Sequence, residues 1–401
     1  MRKRILAFVS AAVLFTTLTA CGNMEKSVSN SPKTLNEIRA EAEKQIELDA
    51  RYENLDLSQT VFFVPNVDKI NNFSLVPVAL SVEEREAKLL EVAEIIGGEK
   101  TDIKNIVYTT LELEQIPYST AKNDTKRGEY YFVKYLTDEL DAGINIGGNY
   151  IYARKKEIAR IAGGENEDYW VDRTGNPAKT YNLRKSMPEA TVSLLNGEQK
   201  ISEIAELMTN RLSEMPFFRI DGLNLCADEA QIYSLGEKSA VNISFFYEYK
   251  GVPIDNYFRG YGMNIETGVY DSLRTSLKCE ASAAWTNSID ELYGAHLYTV
   301  EETQTSSDRF IGLETFLAMI SDKLTGNSKF KVDSVEFVYG VERVLPEGFY
   351  KTPDAKPFEY TPIRFDAKPV WIAYIAKSGI AETPHIRIVM DAVSGELELL
   401  K

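Results

Sequence analysis

The sequence of 401 residues contains only three cysteines and two histidines. This scarcity makes a cysteine-ligated zinc site or a histidine-rich catalytic centre hard to assemble. Basic charge is also in short supply, since 45 Lys and Arg stand against 60 Asp and Glu and give a net charge of −15. Such a balance removes the electrostatic basis for binding a phosphate backbone, so no nucleic-acid partner is expected.

Sequence motifs of known catalytic chemistry are missing as well. The chain has no G-x-S-x-G, H-E-x-x-H, Walker A, EF-hand or C-x-x-C motif. His296 and His385 have few potential site partners near them in the sequence, so we expect structural or solvated roles for both. The sequence therefore predicts a protein without catalytic residues, cofactor or metal.

The first residues carry the clearest signal in the chain. Arg2, Lys3 and Arg4 precede an apolar segment, residues 5–17, which is too short to span a bilayer. The segment ends in Leu18-Thr19-Ala20-Cys21, which resembles the lipobox of bacterial lipoproteins. The resemblance implies cleavage after Ala20 and lipidation of Cys21. The mature protein would then be anchored to the extracytoplasmic side of the cell membrane without crossing it.

The rest of the chain divides by composition and periodicity. Residues 1–20 form the signal peptide and 21–33 a polar, flexible tether. A helix and an extended segment follow in 34–80, and three α+β modules are predicted at 81–195, 196–300 and 301–401. Capping boxes at Thr34-Leu35-Asn36-Glu37 and Ser81-Val82-Glu83-Glu84 predict helices that run to about Ala50 and to Gly97. Apolar spacing predicts two more helices, over 201–215 and 310–324.

Strand-like segments separated by short turns predict antiparallel sheets and an α+β fold class. They lie at 104–116, 129–136, 144–153, 217–226, 241–250, 261–272, 330–345, 369–377 and 385–400. The order of one helix and then three strands occurs after residue 201 and again after residue 310. Residues 82–153 are a more divergent third example. The sequence thus predicts two or three repeated modules, each with one helix packed on an antiparallel sheet.

The closing segment Asp391-Ala392-Val393-Ser394-Gly395-Glu396-Leu397 resembles the last hairpin of PepSY-type modules. The corresponding stretch at 264–269 lacks the Asp. The signal, the lipobox and the segments PVWIAY (369–374) and VEFVYG (335–340) are similar to an uncharacterised family of Gram-positive lipoproteins. PepSY-like modules are non-catalytic, so the resemblance implies binding or regulation.

Aromatic residues supply the candidate ligand-binding positions. Eight of the 22 tyrosines lie between residues 118 and 181. Tyr150, Tyr152, Tyr169 and Trp170 are the candidates, because aromatic faces suit sugar stacking or peptide docking. The alternative is that these tyrosines occupy half-buried strands, where Tyr is favoured.

Two carboxylate clusters and two cysteines leave alternatives open. The clusters, Asp138-Glu139-Asp141 and Asp221-Asp228-Glu229, could hold a hard cation or lie in solvated loops. Cys226 and Cys279 could form a disulfide or remain free.

The expected function is that of a non-catalytic, lipid-anchored binding or regulatory protein of the bacterial cell envelope. It would contact its partner through sheet edges or aromatic loops. One alternative is a cell-surface receptor for a carbohydrate or peptide. Another is a carboxylate-based hydrolase, which requires two nearby acids, one of them with a raised pKa.

Overall fold

A computed structural model of the chain provides the fold. It describes residues 31–78, 80–110, 114–125, 127, 130, 132–145, 151–156, 177–184, 186–255, 279–283, 288–294, 298–324, 329–344, 364–377 and 386–400. The predicted lipidation site Cys21 and the ligand candidates Tyr150, Tyr169 and Trp170 lie outside the described residues, as do His296 and His385.

Six α-helices are present in the described part of the chain. They are α1 (Leu35–Ala42), α2 (Gln45–Arg51), α3 (Val82–Gly97), α4 (Tyr118–Ala121), α5 (Ile201–Glu214) and α6 (Leu313–Lys323). None of these described helices is long and apolar enough to cross a membrane.

The two predicted capping boxes are confirmed. In α1 the Thr34 hydroxyl accepts from the Glu37 backbone N–H, and the Glu37 carboxylate accepts from the Thr34 N–H at 2.7 Å. Ser81 and Glu84 make the same reciprocal pair at the start of α3. The first predicted helix, to about Ala50, is divided in two, because α1 stops at Ala42 and α2 continues to Arg51. Helix α3 ends at Gly97 as predicted, and Gly98 is its left-handed cap at φ 73°.

Twenty-one strands hold nearly half of the described residues, and eight of them form one sheet. Its strand order is β1-β18-β19-β20-β21, and β3 joins β19 to β17 while β2 lies beside β18. The strands β1 and β2 run parallel to β18, and the other pairs are antiparallel. The eight strands are β1 (Leu55–Asp56), β2 (Val61–Phe63), β3 (Ile70–Pro77), β17 (Tyr298–Ser307), β18 (Phe330–Val344), β19 (Arg364–Lys377), β20 (Ile386–Asp391) and β21 (Leu397–Leu400).

Eleven strands form a second, wholly antiparallel sheet. Its order is β5-β4-β6-β7-β8-β16-β15-β13-β12-β9, and β14 pairs with β13. The strands are β4 (Ile106–Thr109), β5 (Gln115–Pro117), β6 (Phe132–Leu136), β7 (Leu140–Asn145), β8 (Ile151–Lys155), β9 (Lys179–Asn182), β12 (Leu223–Leu235), β13 (Lys238–Tyr249), β14 (Val252–Pro253), β15 (Cys279–Ala283) and β16 (Glu291–Gly294). A separate hairpin joins β10 (Thr191–Leu194) to β11 (Gly197–Lys200).

Helices cover one face of each sheet because their apolar stripes need burial. Helix α3 packs on β6, β7 and β8, and α5 packs on β12. In the eight-stranded sheet, Phe316 of α6 stacks on Trp371 with ring centroids 5.6 Å apart. The indole N–H of Trp371 donates to the Ile311 carbonyl at 2.8 Å, so this buried ring keeps a polar partner.

The α+β class with antiparallel sheets is confirmed, but sheet outweighs helix more than one helix per module implies. Strands from the predicted modules 81–195 and 196–300 share the eleven-stranded sheet through the pair β8–β16. Strands of the 34–80 segment join the sheet of residues 301–401. These pairings join residues far apart in the chain, so no local sequence pattern indicates them.

Candidate functional site

One face of the eleven-stranded sheet is polar, whereas the opposite face packs on α3 and α5. Residues directly opposed on neighbouring strands share a face. The registers of β7, β8, β16, β15, β13 and β12 therefore place six polar residues in one line across the sheet. We call this line the polar row; it consists of Asp141, Arg154, Glu291, Ser282, Asn242 and Gln231.

Tyr152 lies on the same face, two residues before Arg154. Its partners across the strands are Gly143 and Tyr293, so two tyrosines are adjacent beside the polar row. The Tyr152 ring lies over Gly143 so closely that a Cβ there would be 2.7 Å from Cε1 of the ring. Gly143 thus leaves space for the ring, and the Tyr152 hydroxyl donates to Asp141 Oδ1 at 3.0 Å. Of the four predicted ligand residues, this is the one the structure describes.

Arg154 pairs with one carboxylate and lies opposite a second at the pairing of β8 with β16. Its Nη2 donates to Asp141 Oδ2 at 2.8 Å, and Glu291 is its cross-strand neighbour. Asp141 is 7% exposed and Glu291 is 5% exposed. Burial of the guanidinium lowers the pKa of Arg154, but attraction to Asp141 and Glu291 outweighs burial and leaves the pKa raised. The half-buried Arg154 is thereby paired with the buried Asp141 and lies beside the buried Glu291.

The middle of the polar row is made of short side chains with little exposure. Asn242 and Ser282 are each 3% exposed, and the neighbouring Ser244 is 9% exposed. The Ser282 hydroxyl donates to Asn242 Oδ1 at 2.8 Å. The half-buried side chains of Tyr152 and Tyr293 lie beside these short polar side chains. The part of this face that solvent reaches therefore consists of Tyr152, Tyr293 and Arg154, which lie beside buried hydroxyl, amide and carboxylate groups.

The residues of each predicted carboxylate cluster differ in their exposure to solvent. Asp138 and Glu139 are exposed, whereas Asp141 is buried in the polar row. In the other cluster Asp221 is exposed, and Asp228 forms an ion pair with Arg184, with 2.6 Å between Oδ1 and Nε. Within the described ranges, no three His, Cys, Asp or Glu side chains are placed to hold a metal ion.

A small cavity of about 280 Å³ lies at the end of α3, and the sequence analysis did not identify it. Its lining includes Gly97, Tyr135, Glu139 and Lys155. Lys155 Nζ donates to Asp290 Oδ1 at 3.0 Å and so ties β8 to the residue before β16. Because Lys155 and Arg154 are consecutive in a strand, ion pairs stabilise this junction on both faces of the sheet.

Cys226 is free. Cys279 begins β15, and β13 separates that strand from β12, which carries Cys226. Two strand spacings of about 4.8 Å exceed the ~7 Å between Cα atoms that a disulfide tolerates. Burial, with a further contribution from Glu248, raises the pKa of the Cys226 thiol to about 12, so the thiol stays protonated and unreactive near neutral pH.

Hydrogen bonds lower the pKa of four described carboxyl groups: Glu37, Asp56, Glu84 and Glu302. The donors are Thr34, Ser58, Ser81 and Lys250, in that order. A hydrolase of the predicted kind needs an acid whose pKa is raised. These four groups therefore supply no candidate for that acid.

Comparisons with known proteins bear on the fold alone. No family model matches the chain, and no curated protein matches it. A similar solved structure is the crystal structure of an uncharacterized protein from Eubacterium rectale ATCC 33656. The two chains are 13% identical, the match covers 85% of this chain and 90% of that one, and the TM-score is 0.53. The protein thus shares its architecture with an uncharacterized bacterial protein.

Proposed function

We propose that this chain is a lipid-anchored, extracytoplasmic binding or regulatory protein of the bacterial cell envelope that works without catalysis. The basic residues, apolar segment and Cys21 of the N-terminus support the anchor. The observation that supports the binding role is the half-buried pair Tyr152 and Arg154, which both bond to the buried Asp141 of the polar row. Fixed polar groups bind a ligand at a low cost in side-chain entropy.

The modular organisation is part of the same proposal. Helix α3 precedes the antiparallel strands β4 to β8, and α5 precedes the antiparallel strands β12 to β16; β5 and β14 are short edge strands of these two sets. Helix α6 precedes β18, β19, β20 and β21 in the same antiparallel order. This recurrence supports three modules of one helix and an antiparallel sheet within 81–195, 196–300 and 301–401, the last of them PepSY-like.

A receptor for a carbohydrate or peptide is the more specific form of the proposal. Tyr152 and Tyr293 favour it, because adjacent aromatic rings beside hydroxyl and amide groups fit sugar stacking or peptide docking. Tyr150, Tyr169 and Trp170 remain proposed contacts of the same ligand.

The anchor is tested by comparing the wild-type chain with Cys21→Ser in bacterial cells. We expect the wild type to incorporate labelled palmitate and to sediment with membranes, and the variant to do neither, because the thioether requires the Cys21 thiol. Cys226→Ser is the matched control and should behave as the wild type. Palmitate incorporation by Cys21→Ser equal to that of the wild type would contradict the assignment.

Binding is tested by a thermal-shift screen of the chain without residues 1–20 and with Cys21→Ser. The panel contains cell-wall fragments, oligosaccharides, peptides and divalent cations. A ligand at 100 times its Kd stabilises the folded state by about 2.7 kcal/mol, which raises the midpoint measurably. We expect one chemical class to raise it and Tyr152→Ala to weaken that effect. If a ligand raises the midpoints of Tyr152→Ala and Arg154→Met as much as that of the parent chain, the ligand binds outside the polar row and its neighbours. If no compound in the panel raises the midpoint, the result would contradict a receptor for a small ligand and favour a protein partner.

A further inference from the structure

The cavity at the end of α3 has an apolar bottom and a polar rim. Ala93, Tyr135 and Leu140 line it from α3, β6 and β7, and all three are buried. Glu99 and Glu139 also line it, but both are exposed to solvent. Its volume of about 280 Å³ is just below the range of roughly 300–1,000 Å³ that is typical of pockets for drug-sized molecules. An occupant of this cavity therefore has to be small.

Lys155 gives the cavity a positive charge in a defined position. Its Nζ donates to Ser288 Oγ and to Asp290 Oδ1, both at 3.0 Å. The Asp290 side chain is 1% exposed, so it holds the ammonium group from inside the protein. An ammonium group has three N–H donors, and the described residues accept two of them. The third donor is left for an acceptor in the cavity.

Thr137 supplies a second donor. Its Oγ1 accepts from the backbone N–H groups of Glu139 and Leu140, at 3.2 and 2.9 Å. These two bonds use the lone pairs of the hydroxyl oxygen, and no described residue accepts its proton. An ammonium group and a hydroxyl group that line one cavity can together bind a carboxylate, because hydrogen bonds to a charged group are the stronger ones.

The opposite charge lies at the end of α3. The helix ends at Gly97, and the Gly98 N–H donates to the Glu94 carbonyl at 2.9 Å. The carbonyl groups of a last helical turn have no partner within the helix, and the helix dipole places about half a negative charge there. Glu99 and Glu139 add two carboxylates to the lining, and Lys100 offsets one of them. This side of the cavity therefore attracts a positively charged group.

We propose that this cavity binds an α-amino acid with a small apolar side chain. The ligand carboxylate accepts from Lys155 and Thr137. Its ammonium group lies toward the end of α3, Glu99 and Glu139, and its side chain contacts the apolar bottom. Because Lys155 and Arg154 are consecutive in a strand, this site and the polar row lie on opposite faces of the sheet. The proposal is independent of the polar-face ligand and of the lipid anchor.

Gly97 allows the cavity to be filled without removal of a charge. A Cβ at Gly97 would lie 3.5 Å from Leu140 Cδ2, which is ordinary van der Waals contact, and both residues line the cavity. Leucine also has a higher helix propensity than glycine. We therefore expect Gly97→Leu to fold and to place its side chain in the space that the ligand needs.

Isothermal titration calorimetry of the full chain in detergent tests the proposal, with L-alanine and D-alanine titrated separately. We expect at least one of them to bind the wild type. Gly97→Leu and Lys155→Met should each raise the Kd about tenfold or more. Lys156→Met is the matched control, because Lys156 is the next residue and does not line the cavity. Its Kd should equal that of the wild type.

Two analogues test whether both charges of the ligand are recognised. N-acetylalanine lacks the ammonium group and alaninamide lacks the carboxylate, so each should bind about tenfold or more weakly than alanine. If Lys155→Met fails to fold because Asp290 loses its cation, Gly97→Leu and the analogues decide the test. The proposal would be overturned if neither alanine binds at millimolar concentration, if Gly97→Leu binds as the wild type does, or if either analogue binds as well as alanine.

Discussion

Arg154 is the residue on which the β8–β16 junction depends most. It lies between Asp141 and Glu291, which are both buried. Replacing it by Met leaves two buried carboxylates without their cation, and breaking a buried pair in this way costs about 3–5 kcal/mol. We expect Arg154→Met to lower the free energy of unfolding by that amount, measured by urea denaturation.

The matched control is Arg364→Met. Arg364 also pairs with an acid, Asp366, at 2.9 Å, but its side chain is 49% exposed and that of Asp366 is 28% exposed. Exposed pairs contribute about 0–1 kcal/mol, so this variant should unfold nearly as the wild type does. Equal losses of stability in the two variants would show that the buried acids beside Arg154 make its pairing no more important than that of Arg364.

Two buried groups predict how stability depends on alkaline pH. Burial raises the pKa of Tyr52 to about 12, and burial also raises the pKa of Cys226 to about 12. In the unfolded chain these groups titrate near ~10 and ~8.5, so the unfolded chain loses its protons first. The stabilisation is fully present below those unfolded values and is lost as the pH rises through about 12.

We therefore expect the urea midpoint to fall between pH about 8 and pH about 11. Cys226→Ala should show a smaller fall, because that variant no longer has the thiol. A midpoint that is constant or rises over this interval would contradict the burial of both groups.

At the scale of elements, helix α3 begins at a capping box whose contribution can be measured. The Ser81 side chain accepts from the Glu84 N–H, and removal of such a cap costs about 1 kcal/mol. We expect Ser81→Ala to lower the free energy of unfolding by that amount in urea denaturation.

Ser213→Ala is the control for this prediction. Its hydroxyl donates to the Thr209 carbonyl inside α5, where serine is not favoured over alanine. This variant should be neutral or slightly more stable. A loss in Ser213→Ala as large as that in Ser81→Ala would mean that capping is not the cause.

Elements defined by neighbouring residues could be predicted from the sequence. Thr34 and Glu37 are three residues apart, so the pattern that identifies the capping box is local. The predicted strand 217–226 was partly wrong for a related reason. Phe217 and Phe218 are buried in a turn after α5, and the strand begins at Leu223. A buried apolar pair looks the same in the sequence whether it lies in a turn or in a strand.

The candidate site was predictable only in part. Tyr152 could be found because tyrosines cluster in its region of the sequence. Arg154 and Glu291 could not be matched, because they lie far apart in the chain and meet only through the pairing of β8 with β16. Long-range register depends on the packing of the whole sheet and leaves no local pattern.

At the scale of the whole molecule, side chains connect the two large sheets. Asp255 follows β14 and pairs with Arg387 of β20, and both are buried. The Asp255 N–H donates to the Tyr339 carbonyl at 2.8 Å, and the Tyr339 ring lies 6.0 Å from that of Tyr249. Arg184 also bridges the sheets, because it pairs with both Asp228 and Glu336. The polar face therefore belongs to a scaffold whose parts are held together by buried contacts.

The central claim is that the polar face of the eleven-stranded sheet binds an envelope ligand. Hydroxyl-radical footprinting, read by mass spectrometry with and without solubilised cell-wall material, tests it most directly. Tyr152 and Tyr293 are half-buried on that face, and Tyr374 is half-buried on the eight-stranded sheet. We predict that the ligand lowers oxidation of Tyr152 and Tyr293 and leaves Tyr374 unchanged. Unchanged oxidation of all three, or protection of Tyr374 alone, would contradict the claim.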